Sequence, residues 1–405
     1  ASCSGRFHIF DHASQLQRHG VLRLLINGYP KWITRRWSIP NRKVKLLLFN
    51  GIIGRLATML PAWIPPAVQS RILCAVHDRF SRRLAYHVPP DSDIFIGLSS
   101  FCLEGLRLAK ECGLVTIVDH GSLHIRYERQ LMEEETRLLG LSPDRELAPP
   151  WIVEKEDQEF RLADYIMVLS TVAKRTMAEQ GLPPENIFVN QCGVNLRDFM
   201  PGHKLDRVSR VIYCGAISPR KGAHYLLQAF MELKLPNAEL WVIGSAPNPA
   251  FGKLLRRFNA PNVRFLGTFP QRRLAQLYAQ GSVFVLPSIA DGFGMVVPQA
   301  MACGLPVIVT ENVGAGEIVT HGKDGYIVPI RDTEALKAHI LRLYEQPELA
   351  ALMGQEAARS AREFSWDAYG DRLMAFLEEC LRKAYAHAHP REAEDVPAIT
   401  TRVQQ

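Results

Sequence analysis

The stretch Pro287–Gly304, PSIADGFGMVVPQAMACG, constrains the fold of this 405-residue chain more than any other. A short apolar run of strand type, Ser282–Leu286 (SVFVL), leads into it. Gly292 and Gly294 then let the backbone approach a ligand closely. Met295–Cys303 is apolar and helix-forming, with Pro298 in the first turn, where proline is tolerated. A strand, a glycine loop and a helix start, in that order, aim unpaired N–H groups at the loop and so suit an anion. Asp291 opens this loop, and the hydrogen-bonding side chain of Gln299 lies two helical turns later. The segment therefore reads as a cradle for a sugar, a diphosphate and a ribose.

Around it the chain alternates strands and helices. In the first half, apolar strand-like runs stand at Val21–Ile26, Asp93–Leu98, Leu114–Asp119, Tyr165–Leu169 and Ile187–Asn190. Helical patterns fall near Phe101–Cys112, Tyr127–Leu139 and Thr171–Gln180. A second series has strands at Arg210–Cys214, Glu239–Ile243, Val263–Leu266, Ser282–Leu286 and Pro306–Val309. This βαβ rhythm predicts parallel, doubly wound sheets. The polar stretch 198–207 reads as a linker between an amino-terminal domain (1–197) and a carboxyl-terminal one (208–365). With 47% hydrophobic residues the chain can fill two cores of ordinary size. Two such domains place a cleft at the carboxyl ends of both sheets, where ligands bind.

The stretch Pro287–Gly304 resembles the signature of retaining glycosyltransferases of family 4, which have the GT-B fold. Their usual form is E-G-F-G, four residues, E, then A-M-A-x-G-x-P-V-I. The chain keeps Gly292, Phe293, Gly294, Ala300, Met301, Ala302, Gly304, Pro306, Val307 and Ile308, and departs at both acids, with Asp291 and Gln299. The fold class implied is α/β: two Rossmann-like, doubly wound parallel-sheet domains facing across a cleft. In the family the last helix crosses back onto the first domain. Phe364-Ser365-Trp366 and the helix to about Leu381 fit that crossover (366–386), with a polar tail over 387–405 that reads as disordered.

Further positions extend the resemblance. Gly215–Gly222 (GAISPRKG) follows a strand and precedes a helix, where a diphosphate would meet close backbone and the cations Arg220 and Lys221. The family's G-R-x-x-x-x-K-G is matched at Gly215, Lys221 and Gly222, but its Arg falls on Ala216. Asp291 would bind the donor sugar's hydroxyls. The loop N–H groups of Phe293, Gly294 and Met295 would meet the sugar and diphosphate, and Gln299 the ribose. Thr268 and Phe269, after the strand Val263–Leu266, would read the nucleobase; a routine strand–helix turn is the alternative. Gly5, in SGRFH, resembles the glycine loop after the family's first strand, and a plain turn is equally open there. Many members need a histidine in the first domain: His120 is the first candidate and His124 the second, against a structural histidine. Gly314–Glu317 (GAGE) matches a family turn loosely, and Gly193, Val194 and Phe199 match a hinge motif in which Asn195 replaces Asp.

The resemblance implies transfer of a sugar from a nucleotide sugar to a glycan or lipid-linked acceptor, with retention of configuration. The catalytic residues it implies are His120, Asp291 and Lys221, with no metal and no other cofactor. Removing Lys221 is expected to cost donor binding and to spare the fold. Chain length and the extended match argue against a phosphorylase or an epimerase. With Asp291, Gln299 and Ala216 off-pattern, a non-catalytic scaffold that binds sugar nucleotides is the rival reading.

Charge adds a second theme. The net charge is +7, and the first ninety residues hold fourteen Lys and Arg against Asp11 and Asp78 alone. Such a front suits an anionic partner. No nucleic-acid module accompanies it, so nucleic acid is excluded as a partner. The amphipathic stretch Asn50–Pro90 suits peripheral contact with an anionic leaflet, an ordinary helical flank being the alternative. The eight cysteines show no CxxC spacing or histidine cluster and read as reduced, buried thiols of a cytoplasmic protein. No signal peptide is visible, and the opening ASCSGRF reads as the end of a first strand, with further residues expected upstream.

Overall fold

The computed structural model describes residues 2–3, 8–58, 64–143, 146–246 and 248–388. Gly5 and the tail from 389 lie outside the described residues. Among the described residues thirteen strands form two sheets, and every pairing in them is parallel. The first sheet contains β1 (Ser2–Cys3), β2 (Leu25–Asn27), β3 (Val44–Leu46), β4 (Ile94–Leu98), β5 (Val115–His120), β6 (Tyr165–Val168) and β7 (Ile187–Val189), in the order β3-β2-β1-β4-β5-β6-β7. The second contains β8 (Ser209–Cys214), β9 (Ala238–Ile243), β10 (Val263–Gly267), β11 (Val283–Leu286), β12 (Val307–Thr310) and β13 (Gly325–Val328), in the order β10-β9-β8-β11-β12-β13. In each sheet the order reverses beside the first-formed strand, which puts the ligand crevice at the carboxyl ends of β1 and β4, and of β8 and β11.

The central strands are largely apolar because helices cover both of their faces. All of β5, β11 and β12 is buried. One core fills the second domain around Tyr213, Leu227, Phe230, Phe284 and Met301. Two more lie on the two faces of the first sheet. The last helix, Trp366–Ala388, runs two residues into the stretch expected to be tail. It belongs to the first sheet's core through Tyr369, Leu373, Leu377 and Cys380, and Phe376 stacks on Phe188 with ring centroids 4.0 Å apart. The chain recrosses where Val194 bridges Ser365; a Cβ on Gly193 would lie 2.4 Å from the Trp366 nitrogen, so only glycine fits that crossing.

Two expectations need correction. The apolar run Val21–Ile26 is strand only from Leu25, because Val21 and Leu22 turn back onto the preceding helix and bond the Leu16 carbonyl. Two short strands, β3 and β13, were not expected: β3 lies at the sheet edge, only three residues long, after the basic turn Asn41–Lys43.

Candidate functional site

Loops at the carboxyl ends of β8, β11 and β12 build one surface of the second domain. After β11, the loop to Gly294 is pinned to the loop after β12. Asp291 N–H donates to the Asn312 carbonyl (3.0 Å), Gly314 N–H to that of Asp291 (2.9 Å), and Ala315 N–H to that of Phe293 (2.6 Å). Gly294 has φ of 84°, a left-handed conformation that suits glycine. The helix after it, Val296–Ala302, is one residue shorter at each end than the sequence suggests. Phe293 is buried in the domain core, so only its backbone faces the loop.

The turn after β8 rests on this loop. Gly222 has φ of 65°, and a Cβ there would sit 1.9 Å from the Pro287 carbonyl oxygen. Arg220 is tied to the same loop: its carbonyl accepts Ile289 N–H at 2.8 Å, and its Nη1 donates to the Ala290 carbonyl at 2.8 Å. Gly215 lies beside Gly244, where a Cβ on Gly244 would meet the Gly215 oxygen at 1.8 Å. Glycine at 222 and 244 is thus required by backbone packing on backbone.

Lys221 and Asp291 form an ion pair, their side chains 15% and 10% exposed. Burial works to raise the Asp291 pKa, but Lys221 and Arg220, with the Phe293 N–H bond, hold it below the usual carboxylate range. Burial lowers the Lys221 pKa against the pull of Asp291, and Arg220 adds to the lowering. The two residues expected to act on a ligand therefore hold each other. This corrects the expectation that removing Lys221 would spare the fold, since it strands a buried carboxylate.

Gln299 is 7% exposed, and its Oε1 has no hydrogen-bond partner among the described residues. A buried amide oxygen left unpaired in this way is a polar group awaiting a donor. Thr268 is exposed, and Phe269 packs partly on the second core. Next to them Pro270, Gln271 and Arg272 line a cleft of about 1480 Å³ between the domains. Met295 lines it too, facing Asp11, Arg36 and Trp37 of the first domain and Asn195 and Arg197 of the crossing. A separate cavity of about 550 Å³ lies at the amino-terminal ends of β2 and β4, away from these loops.

The first domain meets this surface directly. A Cβ on Gly292 would lie 2.5 Å from the Gly121 oxygen and 2.5 Å from the Ser122 Cα, so glycine lets the domains touch. Ser170 Oγ donates to the Gly292 carbonyl at 2.8 Å. Glu317 accepts from the Thr171 N–H at 2.8 Å. Glu128 accepts from Ser122 Oγ at 2.6 Å and stands 3.7 Å from Arg220 Nε.

His120 differs from expectation. It is 3% exposed, with Nδ1 2.8 Å from Ser99 Oγ and Nε2 3.0 Å from the Leu123 carbonyl. Both ring nitrogens are engaged inside the first domain, so in this geometry neither is offered to a ligand. Burial lowers its pKa. His124 caps the helix Ile125–Leu139 by accepting the Arg126 N–H, and burial holds its pKa at about 4. Sequence reasoning passed over His8. Its Nε2 is 2.8 Å from Asp119 at the end of β5, and its Cε1 is 3.6 Å from where a Gly121 Cβ would stand. Burial opposes charge on His8, yet Asp119 outweighs it and raises the pKa. The signal available was Asp119 itself, an acid ending an apolar strand.

Known proteins bear on this surface. Residues 208–346 match the family model "Glycosyl transferases group 1". The chain is 32% identical over 216 residues to D-inositol 3-phosphate glycosyltransferase of Segniliparus rotundus, covering 49% of this chain and 48% of that protein. It is 28% identical over 357 residues to D-inositol 3-phosphate glycosyltransferase 2 of Catenulispora acidiphila, covering 82% and 78%. In several curated relatives the match spans about half of their length (48% in one, 58% in another). Among solved structures, sucrose-phosphate synthase of Thermosynechococcus elongatus has a TM-score of 0.68 at 20% identity, over 93% of this chain and 92% of that one. HepE of Anabaena, in complex with UDP and glucose, has a TM-score of 0.64 at 16% identity, over 93% and 98%. These likenesses establish the fold, which is GT-B.

Proposed function

We propose that the chain is a retaining glycosyltransferase of family 4, moving a sugar from a nucleotide sugar to a hydroxyl of a glycan or lipid-linked acceptor. The observation that carries this reading is the contact of the Arg220–Lys221 turn with the Asp291–Gly294 loop, inside the segment that matches the group 1 family model. In the proposed cycle, the donor's diphosphate draws Lys221 away from Asp291. Lys221 and Arg220 then stabilise the charge that grows on the leaving diphosphate, an electrostatic role that needs no metal. Asp291, released, accepts from the sugar's hydroxyls, and the unpaired Gln299 Oε1 accepts from a ribose hydroxyl. The leaving phosphate oxygen takes the acceptor's proton on the face from which it departs, so the configuration is retained. A solved protein of the same fold supports the donor class: HepE of Anabaena forms a complex with UDP-glucose.

Thermal shift with UDP, GDP, ADP and dTDP tests the donor site. Ligand at one hundred times its dissociation constant adds about 2.7 kcal/mol. A shift with one nucleotide, followed by turnover of its sugar and analysis of the product anomer, supports the reading. Binding without release of nucleoside diphosphate for any donor favours the non-catalytic scaffold.

We also infer peripheral contact with an anionic membrane. Among the described residues, eight of the thirteen exposed large hydrophobics lie between positions 32 and 86. Trp32 and Phe49 are each 62% exposed and Leu56 61%, and Arg79 lies over the Phe49 ring. Cations surround them, which is the composition of an interfacial surface. No described helix is long and apolar enough to cross a membrane. Co-sedimentation with phosphatidylglycerol vesicles, lost in high salt and weakened by Phe49→Glu, is the expected result; equal recovery with neutral vesicles refutes it.

A further inference from the structure

The helix Ile125–Leu139 of the first domain carries Glu135, which is fully buried although its partners belong to the second domain. Its Oε1 lies 2.8 Å from His224 Nε2, and its Oε2 accepts from Arg331 Nε at 2.8 Å and from Tyr225 Oη at 3.3 Å. Burial would push the Glu135 carboxyl up, but the bonds from His224 and Arg331 outweigh it and hold it below the usual carboxylate range.

Arg331 is spent on the same helix. Its Nη1 pairs with Glu134 at 2.9 Å and its Nη2 donates to the Leu131 carbonyl at 3.2 Å. It also has φ of 63°, a left-handed backbone that a side chain with a Cβ adopts only where contacts over-determine it. Leu139, at the end of the helix, packs on the second domain's core. About two turns upstream of Glu135, Glu128 faces Arg220. The single helix therefore runs from the Arg220–Lys221 turn to Arg331, and none of its latch contacts line the interdomain cleft.

We propose that Glu135 is a positioning residue, a latch whose insertion between His224, Tyr225 and Arg331 sets how closely the first domain closes on the Arg220–Lys221 turn. Releasing it frees the helix Ile125–Leu139, withdraws Glu128 from Arg220 and parts Gly121 from Gly292. The latch concerns the seam between the domains and does not depend on which donor, if any, the cleft accepts.

Small-angle scattering on the full chain tests it without substrate. Glu135→Ala and Arg331→Gly should each enlarge the radius of gyration and broaden the distance distribution, with far-UV circular dichroism unchanged. Arg331→Gly removes the clamp and the left-handed strain together but strands the Glu135 carboxylate; combined with Glu135→Gln it leaves no stranded charge, so that double variant is the one expected to fold without difficulty. Glu135→Gln keeps an acceptor and should lie between the parent and Glu135→Ala, a rescue that a general loss of structure would not produce. Parent-like scattering from Arg331→Gly and Glu135→Ala overturns the proposal. Should Glu135→Ala or Arg331→Gly lose its circular dichroism, the double variant Glu135→Gln with Arg331→Gly decides.

Discussion

Replacing Lys221 by Met probes the buried ion pair on which the site turns. The side chains of Lys221 and Asp291 are 15% and 10% exposed, and the next cation, Arg220, is already tied to the Ala290 carbonyl. Stranding one member of a buried pair costs about 3–5 kcal/mol. The nearby Arg220 charge and the slight exposure put this site at the lower end, about 2–3 kcal/mol. In a domain of this size each kcal/mol moves the melting midpoint by about 2–4 °C, so the midpoint should fall by roughly 5–10 °C. Adding Asp291→Asn removes the stranded charge and should recover about half of the loss.

The pH dependence has a definite sign. In the parent, the Asp291 pKa is depressed, so its contribution is present above the ordinary carboxylate pKa and lost as pH falls through the depressed one. Without Lys221, burial raises that pKa, and the penalty is largest near neutral pH and shrinks in acid. Urea unfolding at about pH 7.5 and about pH 4.5 should therefore show the gap between parent and variant narrowing at the lower pH. A Lys221→Met variant as stable as the parent at both, or no recovery from Asp291→Asn, would refute the buried-pair reasoning.

Three further outcomes are expected. Gly292→Ala places a methyl 2.5 Å from the Gly121 oxygen, so the seam should open, seen as a larger radius of gyration with each domain folded; parent-like scattering would sink this. Gln299→Glu should keep or raise affinity for the nucleoside diphosphate found by thermal shift, by up to about 2 kcal/mol, since a charged acceptor bonds a hydroxyl more strongly; a collapse of binding in calorimetry would show that the neutral amide is required. Burial and then Glu156 push the Glu159 pKa up to about 8, so the parent loses stability as pH rises from the ordinary carboxylate range towards that value. Glu159→Gln keeps an amide oxygen for the Cys102 N–H but loses the acceptor of the Ser100 N–H, so it should start below the parent in acid and gain on it progressively up to about pH 8, read as urea midpoints.

Much of the fold was legible because parallel strands covered on both faces must be apolar along their whole length. Val283–Leu286 announces itself in that way, Val115–His120 does so through Val115, Ile117 and Val118 ahead of its polar end, and the glycines that follow mark the crevice end of each sheet. The short edge strands β3 and β13 were not legible, since three or four paired residues leave little periodicity to read. In the site, the loop after β11 and the turn after β8 were both found, and Gly222, Gly292 and Gly294 stand where backbone contact or a left-handed φ demands glycine.

The sequence by itself determined which loops carry the chemistry: glycines, an acid and two cations at strand ends follow from local rules of backbone freedom and charge. Only the tertiary structure decided who holds whom. Lys221 and Asp291 are separated by 70 residues, and Glu135 lies 89 residues from His224 and 196 from Arg331. Alternation along β5 places His120 on one face of its strand, but Ser99, arriving on the neighbouring strand, and the Leu123 carbonyl occupy its two nitrogens. Local patterning fixes where a side chain starts. Its partners, and hence its charge and its availability, are fixed by which distant segments the packing of two domains brings against it.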